Sequence, residues 1–122
     1  SVQVLGHRVQ GRGDEAAQQL VADARAVAAA GAFAIVLEAV PADLGAQVAA
    51  AVKIPVIGIG AGPGCDGQIL VINDLLGLSG DFKPKFVKVY ADLGAQIAAA
   101  AGAYKADVET AAFPGPEHAY DP

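Results

Sequence analysis

Glu38 is the residue of this sequence that is best placed to do chemistry. It is the single carboxylate within the apolar segment Phe33–Val40 (FAIVLEAV), and it stands shortly before Pro41. Catalytic groups of barrels and open α/β sheets collect at the carboxyl ends of the strands. Partial burial among apolar side chains would strengthen this carboxylate as a general base. The alternative is a structural role, in which Glu38 accepts hydrogen bonds from the start of the next helix.

A run of alternating glycines is the second feature that could form a site. Around the end of the apolar segment Ile54–Ile59, every second position is a glycine, namely Gly58, Gly60, Gly62 and Gly64. Backbone without side chains can approach a ligand closely or adopt positive φ angles. We interpret Gly58, Gly60 and Gly62 as backbone that borders a substrate pocket. The alternative is a tight turn between two strands.

The glycine run also contains a motif whose spacing resembles that of a dinucleotide-binding site. Residues 62–67 (GPGCDG) match the G-x-G-x-x-G spacing of dinucleotide-binding sites. That fingerprint requires a helix to begin at the turn, whereas the following QILVI segment is typical of a strand. We therefore expect no nucleotide site here. The sequence also lacks a P-loop, an HExxH helix and a Ser/His/Asp arrangement.

Composition excludes several classes of partner. The 122 residues include 13 Asp and Glu against 8 Lys and Arg, with no basic cluster that could neutralise phosphates, so we expect no nucleic acid partner. The apolar runs are too short to cross a bilayer. A lone cysteine, Cys65, and two histidines, His7 and His118, cannot form an internal disulfide or a Cys/His metal cluster. A reducing cytoplasm fits this composition best, and both histidines are expected at a surface or interface.

The candidate site residues are positioned by a series of predicted helices and strands. The spacing of apolar residues predicts three helices, at Glu15–Ala30, at Pro41 to about Val52 and at about Lys85–Glu109. Short apolar segments predict three strands, at Phe33–Val40, Ile54–Ile59 and about Gln68–Ile72. Asp14 is the expected N-cap of the first helix, and Gly31 is the expected left-handed residue after it. Strands that are apolar on both faces and joined by helices predict a parallel α/β sheet, either flavodoxin-like or part of a barrel.

Two other segments bear on the organisation of the chain. ADLGAQVAAA begins at Ala42 and ADLGAQIAAA begins at Ala91, and we interpret them as two similar Ala-rich helices because no matching strands surround them. Residues 113–122 (FPGPEHAYDP) are rich in proline. We predict that they form an extended tail that wraps a surface or a neighbouring subunit, or is disordered.

In four segments the sequence resembles the ketopantoate hydroxymethyltransferase family, in the family's order. The segments are Val9–Ala16 (VQGRGDEA), Val36–Pro41 (VLEAVP), Ile54–Val71 (with IPVIGIGAG and DGQILV) and Phe113–His118 (FPGPEH). The resemblance covers essentially the whole chain. It implies a (β/α)8 TIM barrel, of which residues 1–122 would be the C-terminal part, about three βα units of a single domain.

The resemblance also implies an enzyme of pantothenate biosynthesis, on the route to coenzyme A. Such a hydroxymethyltransferase transfers the one-carbon unit of 5,10-methylenetetrahydrofolate to 3-methyl-2-oxobutanoate and gives 2-dehydropantoate through a metal-stabilised enolate. The family's proposed base corresponds to Glu38. The ligands of its Mg²⁺ ion, and the lysine and serine of its oxo-acid site, belong to motifs upstream of this sequence, so no metal ligand is expected in this chain. A cytoplasmic homo-oligomer is implied as well.

Three predicted strands cannot close an eight-stranded barrel. We therefore expect the chain to be inactive alone and to require the missing N-terminal part of the barrel. Two alternatives stay open: a related oxo-acid lyase or mutase barrel that uses no folate, and a non-catalytic α/β binding domain in which Glu38 is structural. The sequence assigns no role to Arg12, Asp66 or His118.

Overall fold

The structure is a computed structural model, and it describes residues 9 and 11–122. Its helices are α1 (Asp14–Ala29), α2 (Ala42–Ala51), α3 (Ile72–Leu75) and α4 (Leu93–Glu109). Its strands are β1 (Ile35–Glu38), β2 (Val56–Ile59) and β3 (Gly67–Gln68), and a 3-10 helix covers Pro116–His118. The chain divides into two compact units. The sheet unit comprises Ser1–Val71 and Pro84–Val87, and the helical unit comprises Ile72–Lys83 and Lys88–Pro122.

The three strands form one parallel sheet in the order β1-β2-β3, as the sequence predicts. Ile35 pairs with Val56, and Glu38 pairs with Ile59, so β1 and β2 begin and end at the same level. The predicted α/β architecture with parallel strands is therefore confirmed for the described residues.

The third strand is much shorter than predicted. Gly67 and Gln68 pair with β2, and the predicted continuation to Ile72 was wrong because Ile72 begins helix α3. A short apolar run fits a strand and a buried helix equally well, so periodicity could not separate the two. β3 starts at Gly67, and no helix begins at the G-x-G-x-x-G turn. A strand and not a helix thus follows the turn, as the sequence predicts.

Helices cover one face of β1. Leu37 is buried in a core that also contains Ala24 of α1 and Val48 of α2. On the opposite face Val36 is 61% exposed, and Glu38 is exposed as well. Although its sequence is apolar on both faces, this strand is buried on only one face within the described residues. A strand is buried twice only when a layer packs on each face, and the described residues supply one layer.

Local sequence sets the ends of the first two helices. The N-cap of α1 is Gly13, with φ 87°, and the prediction of Asp14 as N-cap was wrong. The Asp14 carboxylate lies instead in the first turn, where it interacts favourably with the helix dipole. Gly31 has φ 100°, which confirms the left-handed residue predicted after α1. Pro41 is the N-cap of α2, and that helix ends at Ala51, close to the predicted end.

The start of α4 was predicted too early, near Lys85. α4 begins at Leu93, where the Asp92 side chain caps the helix by accepting a backbone hydrogen bond from its first turn. Before this point Tyr90 donates its backbone N–H to the Leu75 carbonyl at 2.8 Å. In a helix that began near Lys85, the Tyr90 N–H would donate to the carbonyl four residues earlier, but it is already bound to Leu75. Tertiary contacts therefore decide this helix boundary.

The last residues fold back on α4 within the helical unit. The ring of Phe113 lies 5.7 Å from the ring of Tyr104 and 4.9 Å from the imidazole of His118, centroid to centroid. Nδ1 of His118 accepts a hydrogen bond from the Gly115 N–H at 3.1 Å. These contacts give His118 a structural role that the sequence did not reveal.

Candidate active site

Glu38 is the last residue of β1, at the carboxyl end of the sheet. Its side chain lies on the face opposite to α1 and α2 and is exposed. The described residues do not provide the partial burial that would strengthen Glu38 as a base, because they place no layer over this face. Within residues 9 and 11–122 the Glu38 carboxylate has no hydrogen-bond or ion-pair partner, so the predicted alternative of a helix-capping role has no support there. The role of Glu38 as a general base stays a prediction.

The chain turns at the same level after both long strands. Ala39 donates its N–H to the Ile59 carbonyl at 2.9 Å, and Val40 donates its N–H to the Gly60 carbonyl at 3.1 Å. Gly60 and Gly62 have φ angles of 67° and 78°, which confirms the positive φ predicted for the glycine turn. Ala39 has φ 52°, a left-handed conformation that nothing in the sequence indicated. The ends of β1 and β2 are thus held side by side by backbone hydrogen bonds.

The absent side chains of Gly60 and Gly62 make room for other parts of the sheet unit. A Cβ atom on Gly60 would lie 2.6 Å from the ring of Phe86. A Cβ atom on Gly62 would overlap Ala42 at the start of α2. Close approach of protein atoms therefore requires glycine at both positions, and their role as pocket backbone stays a prediction.

Gly58 is covered by Cys65. A Cβ atom on Gly58 would lie 2.9 Å from the sulfur of Cys65, which packs against the core of the sheet unit. Burial raises the pKa of the Cys65 thiol, and the nearby Asp66 carboxylate raises it further. The reactive thiolate is therefore disfavoured, and Cys65 behaves as a packing side chain.

An open cavity of about 430 Å³ lies beside the glycine turn. It is lined by Gly60, Gly62, Pro63, Gln68 and Phe86. Two of the three glycines predicted as pocket backbone therefore border a cavity, whereas Gly58 does not. Glu38 is not among the lining residues, although its strand ends beside β2. Pro63, Gln68 and Phe86 are the lining residues that the sequence did not indicate, and the position of Phe86 in particular depends on tertiary packing.

A second open cavity, of about 610 Å³, lies between the N-terminal ends of α1 and α2. Its charged lining residues include Arg12 and Arg25 together with Asp14 and Asp43. Two positive and two negative side chains therefore line this cavity, and their charges favour neither an anionic nor a cationic ligand. Arg12, which the sequence left without a role, lies in this cavity and not beside Glu38.

Asp66 fastens the glycine turn to the start of β2. Its carboxylate accepts a hydrogen bond from the Val56 N–H at 2.8 Å, and its own N–H donates to the Val56 carbonyl at 2.9 Å. At the other end of the turn, Nε2 of Gln68 donates to the Gly62 carbonyl at 2.9 Å. Asp66 therefore has a structural role, which its position in a Gly-rich turn could have suggested from the sequence.

We expect Asp66→Ala to lower the free energy of unfolding by about 1–3 kcal/mol, because the buried Val56 N–H would lose its partner. Asp66→Asn is the matched control, since its amide oxygen can still accept that hydrogen bond. Thermal unfolding of both variants beside the parent protein measures the difference. Equal Tm values for the alanine and asparagine variants would contradict the role of the side chain.

Two kinds of feature are absent from the described part of the chain. No group of three or more His, Cys, Asp or Glu side chains among residues 9 and 11–122 could hold a metal ion. No helix in those residues is both long and apolar enough to cross a membrane. His7 lies outside the described residues, so its predicted surface position is not addressed.

Comparisons with known proteins place this sequence beside one enzyme family. The sequence profile of the ketopantoate hydroxymethyltransferase family matches residues 1–116. A 3-methyl-2-oxobutanoate hydroxymethyltransferase of Paracoccus denitrificans (strain Pd 1222) is 54% identical over 121 residues, which are 98% of this chain and 44% of the relative. One of Streptomyces coelicolor (strain ATCC BAA-471 / A3(2) / M145) is 58% identical over 118 residues, 97% of this chain and 40% of the relative.

The chain spans less than half the length of these curated relatives and matches their C-terminal part. A third relative of the same name, from Ruegeria sp. (strain TM1040), shows the same relation, with 58% identity over 115 residues, 94% of this chain and 41% of the relative. The family profile covers almost the whole chain, including Glu38 and the glycine turn. The chain therefore belongs to the ketopantoate hydroxymethyltransferase family.

Proposed function

We propose that this chain is the C-terminal part of a 3-methyl-2-oxobutanoate hydroxymethyltransferase and carries its general base. The observation that supports the proposal is the position of Glu38, last in β1 and on the helix-free face, in a chain of this family. The relatives that bear this name are more than twice as long as the matched segment. The activity is therefore proposed for the complete enzyme, and residues 1–122 alone are expected to be inactive.

The complete enzyme is proposed to be a (β/α)8 TIM barrel. Residues 1–122 would form the C-terminal part of this single domain, with residues 113–122 as its tail. The parallel sheet supports this proposal, because one face of β1 packs on helices and the other is open. Barrel strands have helices outside and the barrel interior on the other face. Val36 and Glu38 would then point toward the interior, which the missing N-terminal strands would complete.

In the proposed reaction Glu38 removes the proton at C3 of 3-methyl-2-oxobutanoate. The C–H bond breaks, the proton moves to the Glu38 carboxylate, and the electron pair enters the enolate. One water hydrolyses both C–N bonds that hold the one-carbon unit in 5,10-methylenetetrahydrofolate, which releases tetrahydrofolate and leaves that carbon at the level of formaldehyde. C3 of the enolate then forms a bond to this carbon, the electron pair of its C=O π bond moves to oxygen, and the proton held by Glu38 completes the new hydroxyl group. The products are 2-dehydropantoate, in the pantothenate pathway, and tetrahydrofolate. Gly60 and Gly62 are proposed to border the substrates with bare backbone. Gly58 is proposed to support this turn by leaving room for the Cys65 side chain.

The family resemblance implies a Mg²⁺ ion that would stabilise the enolate. The described residues do not fit such a site, since they include no cluster of side chains that could hold a metal. We therefore derive no step through the ion and propose that its ligands lie in the N-terminal part. A cytoplasmic homo-oligomer is proposed on the same resemblance.

The proposal is tested with a fused enzyme, in which the N-terminal part of the Paracoccus denitrificans relative precedes this chain. The 54% identity over nearly the whole chain supports a compatible interface. We expect the fused enzyme to convert 3-methyl-2-oxobutanoate to 2-dehydropantoate only when 5,10-methylenetetrahydrofolate is present, and the 122 residues alone to show no turnover. Turnover of the oxo acid without the folate would favour a lyase or mutase, and a folded, active 122-residue chain would refute the need for the N-terminal part.

A further inference from the structure

Ala39 adopts a backbone conformation that alanine rarely occupies. Its φ angle is 52°, immediately after Glu38. The Cβ atom makes the left-handed region unfavourable for residues other than glycine, and such positions persist only where the surrounding structure holds them. Residues in this state are concentrated at functional sites. An alanine held there beside the candidate base calls for an explanation.

The neighbouring contacts hold Ala39 in this conformation. Its N–H donates to Ile59, and the next N–H, of Val40, donates to Gly60. The Val40 side chain is buried in the core of the sheet unit. Strand alternation would place residue 39 on the core face, with Leu37, and residue 40 on the open face. The left-handed turn at Ala39 reverses this phase, so that Val40 enters the core while Glu38 stays on the open face.

The adjacent strand makes the same turn with a different residue. Gly60 lies level with Ala39 in the sheet register and has φ 67°. At position 60 glycine is required, because a Cβ atom would collide with Phe86. A turn of this kind therefore needs no side chain, and glycine at position 39 would satisfy it with less strain. Within the positive φ that the neighbouring contacts impose, however, the methyl group of Ala39 allows only the small left-handed region, whereas glycine would also reach the remaining positive-φ conformations.

We propose that Ala39 is a positioning residue for the general base. The hydrogen bonds to the end of β2 and the burial of Val40 impose a positive φ on residue 39, and the Ala39 methyl group then leaves only the narrow left-handed region, which fixes the direction in which the Glu38 carboxylate leaves the sheet. The inference rests on the proposed function, since it concerns the same base. Ala39 takes no part in proton transfer itself.

The test is Ala39→Gly in the fused enzyme. The substitution removes a strained methyl group, so we expect Tm to stay at or above the parent value. We expect kcat to fall about tenfold or more, because a misdirected catalytic group is costly even when binding is intact. The KM for 3-methyl-2-oxobutanoate should stay within about twofold. Exchange of the C3 proton of the oxo acid with D2O, followed by NMR without the folate, should slow by the same factor as kcat.

Ala111→Gly is the matched control. In the described part of the chain, Ala39 and Ala111 are the two residues other than glycine that have a positive φ angle. Ala111 has φ 60° and follows helix α4 in the helical unit. We expect it to leave kcat and the exchange rate unchanged. An Ala39→Gly variant with the parent kcat, or equal losses in both variants, would overturn the positioning role. An inactive parent fused enzyme would overturn the proposed function, and the inference would fall with it.

Discussion

Glu38→Gln is expected to lower kcat of the fused enzyme by about 100-fold to 10,000-fold, the contribution typical of a positioned general base. The glutamine amide has nearly the same shape as the carboxylate but cannot accept the C3 proton. The KM for the oxo acid should change little, because the proton transfer belongs to the transition state and not to binding. Steady-state kinetics with 5,10-methylenetetrahydrofolate at saturation measures both constants.

Two further variants make this result specific. Glu38→Asp keeps the carboxylate but withdraws it by one methylene, so its kcat should lie between those of the parent and Glu38→Gln. Glu15→Gln neutralises another exposed carboxylate, in the first turn of α1, and should leave kcat unchanged. Parent-like kcat in the Glu38→Gln variant would mean that Glu38 is structural and that another residue is the base.

Gly62→Ala is expected to cause the largest loss of stability among single methyl additions to the glycine turn, about 2–5 kcal/mol. Its φ of 78° strains any residue with a Cβ atom, which costs about 1–2 kcal/mol. The added methyl group would also overlap Ala42 at the start of α2, including its backbone, and overpacking of this kind costs about 1–3 kcal/mol more. Thermal unfolding of the fused enzyme measures the loss as a lower Tm.

Gly31→Ala separates the two causes. Gly31 belongs to the same unit and has φ 100°, but a Cβ atom placed on it would meet nothing within 4 Å. This variant should therefore lose only the stability that belongs to backbone strain. If Gly31→Ala and Gly62→Ala lowered Tm equally, the close packing of the glycine turn against α2 would be refuted.

Local patterns were sufficient to predict the parallel sheet and the position of Glu38. Unbroken apolar segments flanked by helices required strands with parallel neighbours, and Pro41 marked the point where β1 gives way to α2. These features depend on residues that are close in sequence. The start of α1 also depends on residues that are close in sequence, and its predicted N-cap, Asp14, is only one position away from the observed N-cap, Gly13.

Features that depend on distant residues could not be predicted. The two nearly identical segments that begin at Ala42 and Ala91 show this directly. In the first, Val48 is fully buried between helix and sheet, whereas the corresponding Ile97 of α4 is 59% exposed. The sequence of a segment cannot specify the surface that it packs against. The contact of Phe86 with Gly60, and the exposure of Glu38, are set by tertiary neighbours in the same way.

The left-handed Ala39 could not be predicted for a related reason. Alanine disfavours positive φ, so no local preference indicates the turn. The conformation follows from two constraints that act together: burial of Val40, and the hydrogen bonds from Ala39 and Val40 to the end of β2. Such a position is visible only once the register of the two strands is known.

The most direct test of Glu38 as the base is exchange of the C3 proton of 3-methyl-2-oxobutanoate in D2O without the folate. This measurement isolates proton removal from carbon–carbon bond formation. We predict that the parent fused enzyme catalyses the exchange and that the Glu38→Gln variant loses it by at least about 100-fold while still binding the oxo acid. Exchange at the parent rate in the Glu38→Gln variant would contradict the assignment and place the base on another residue.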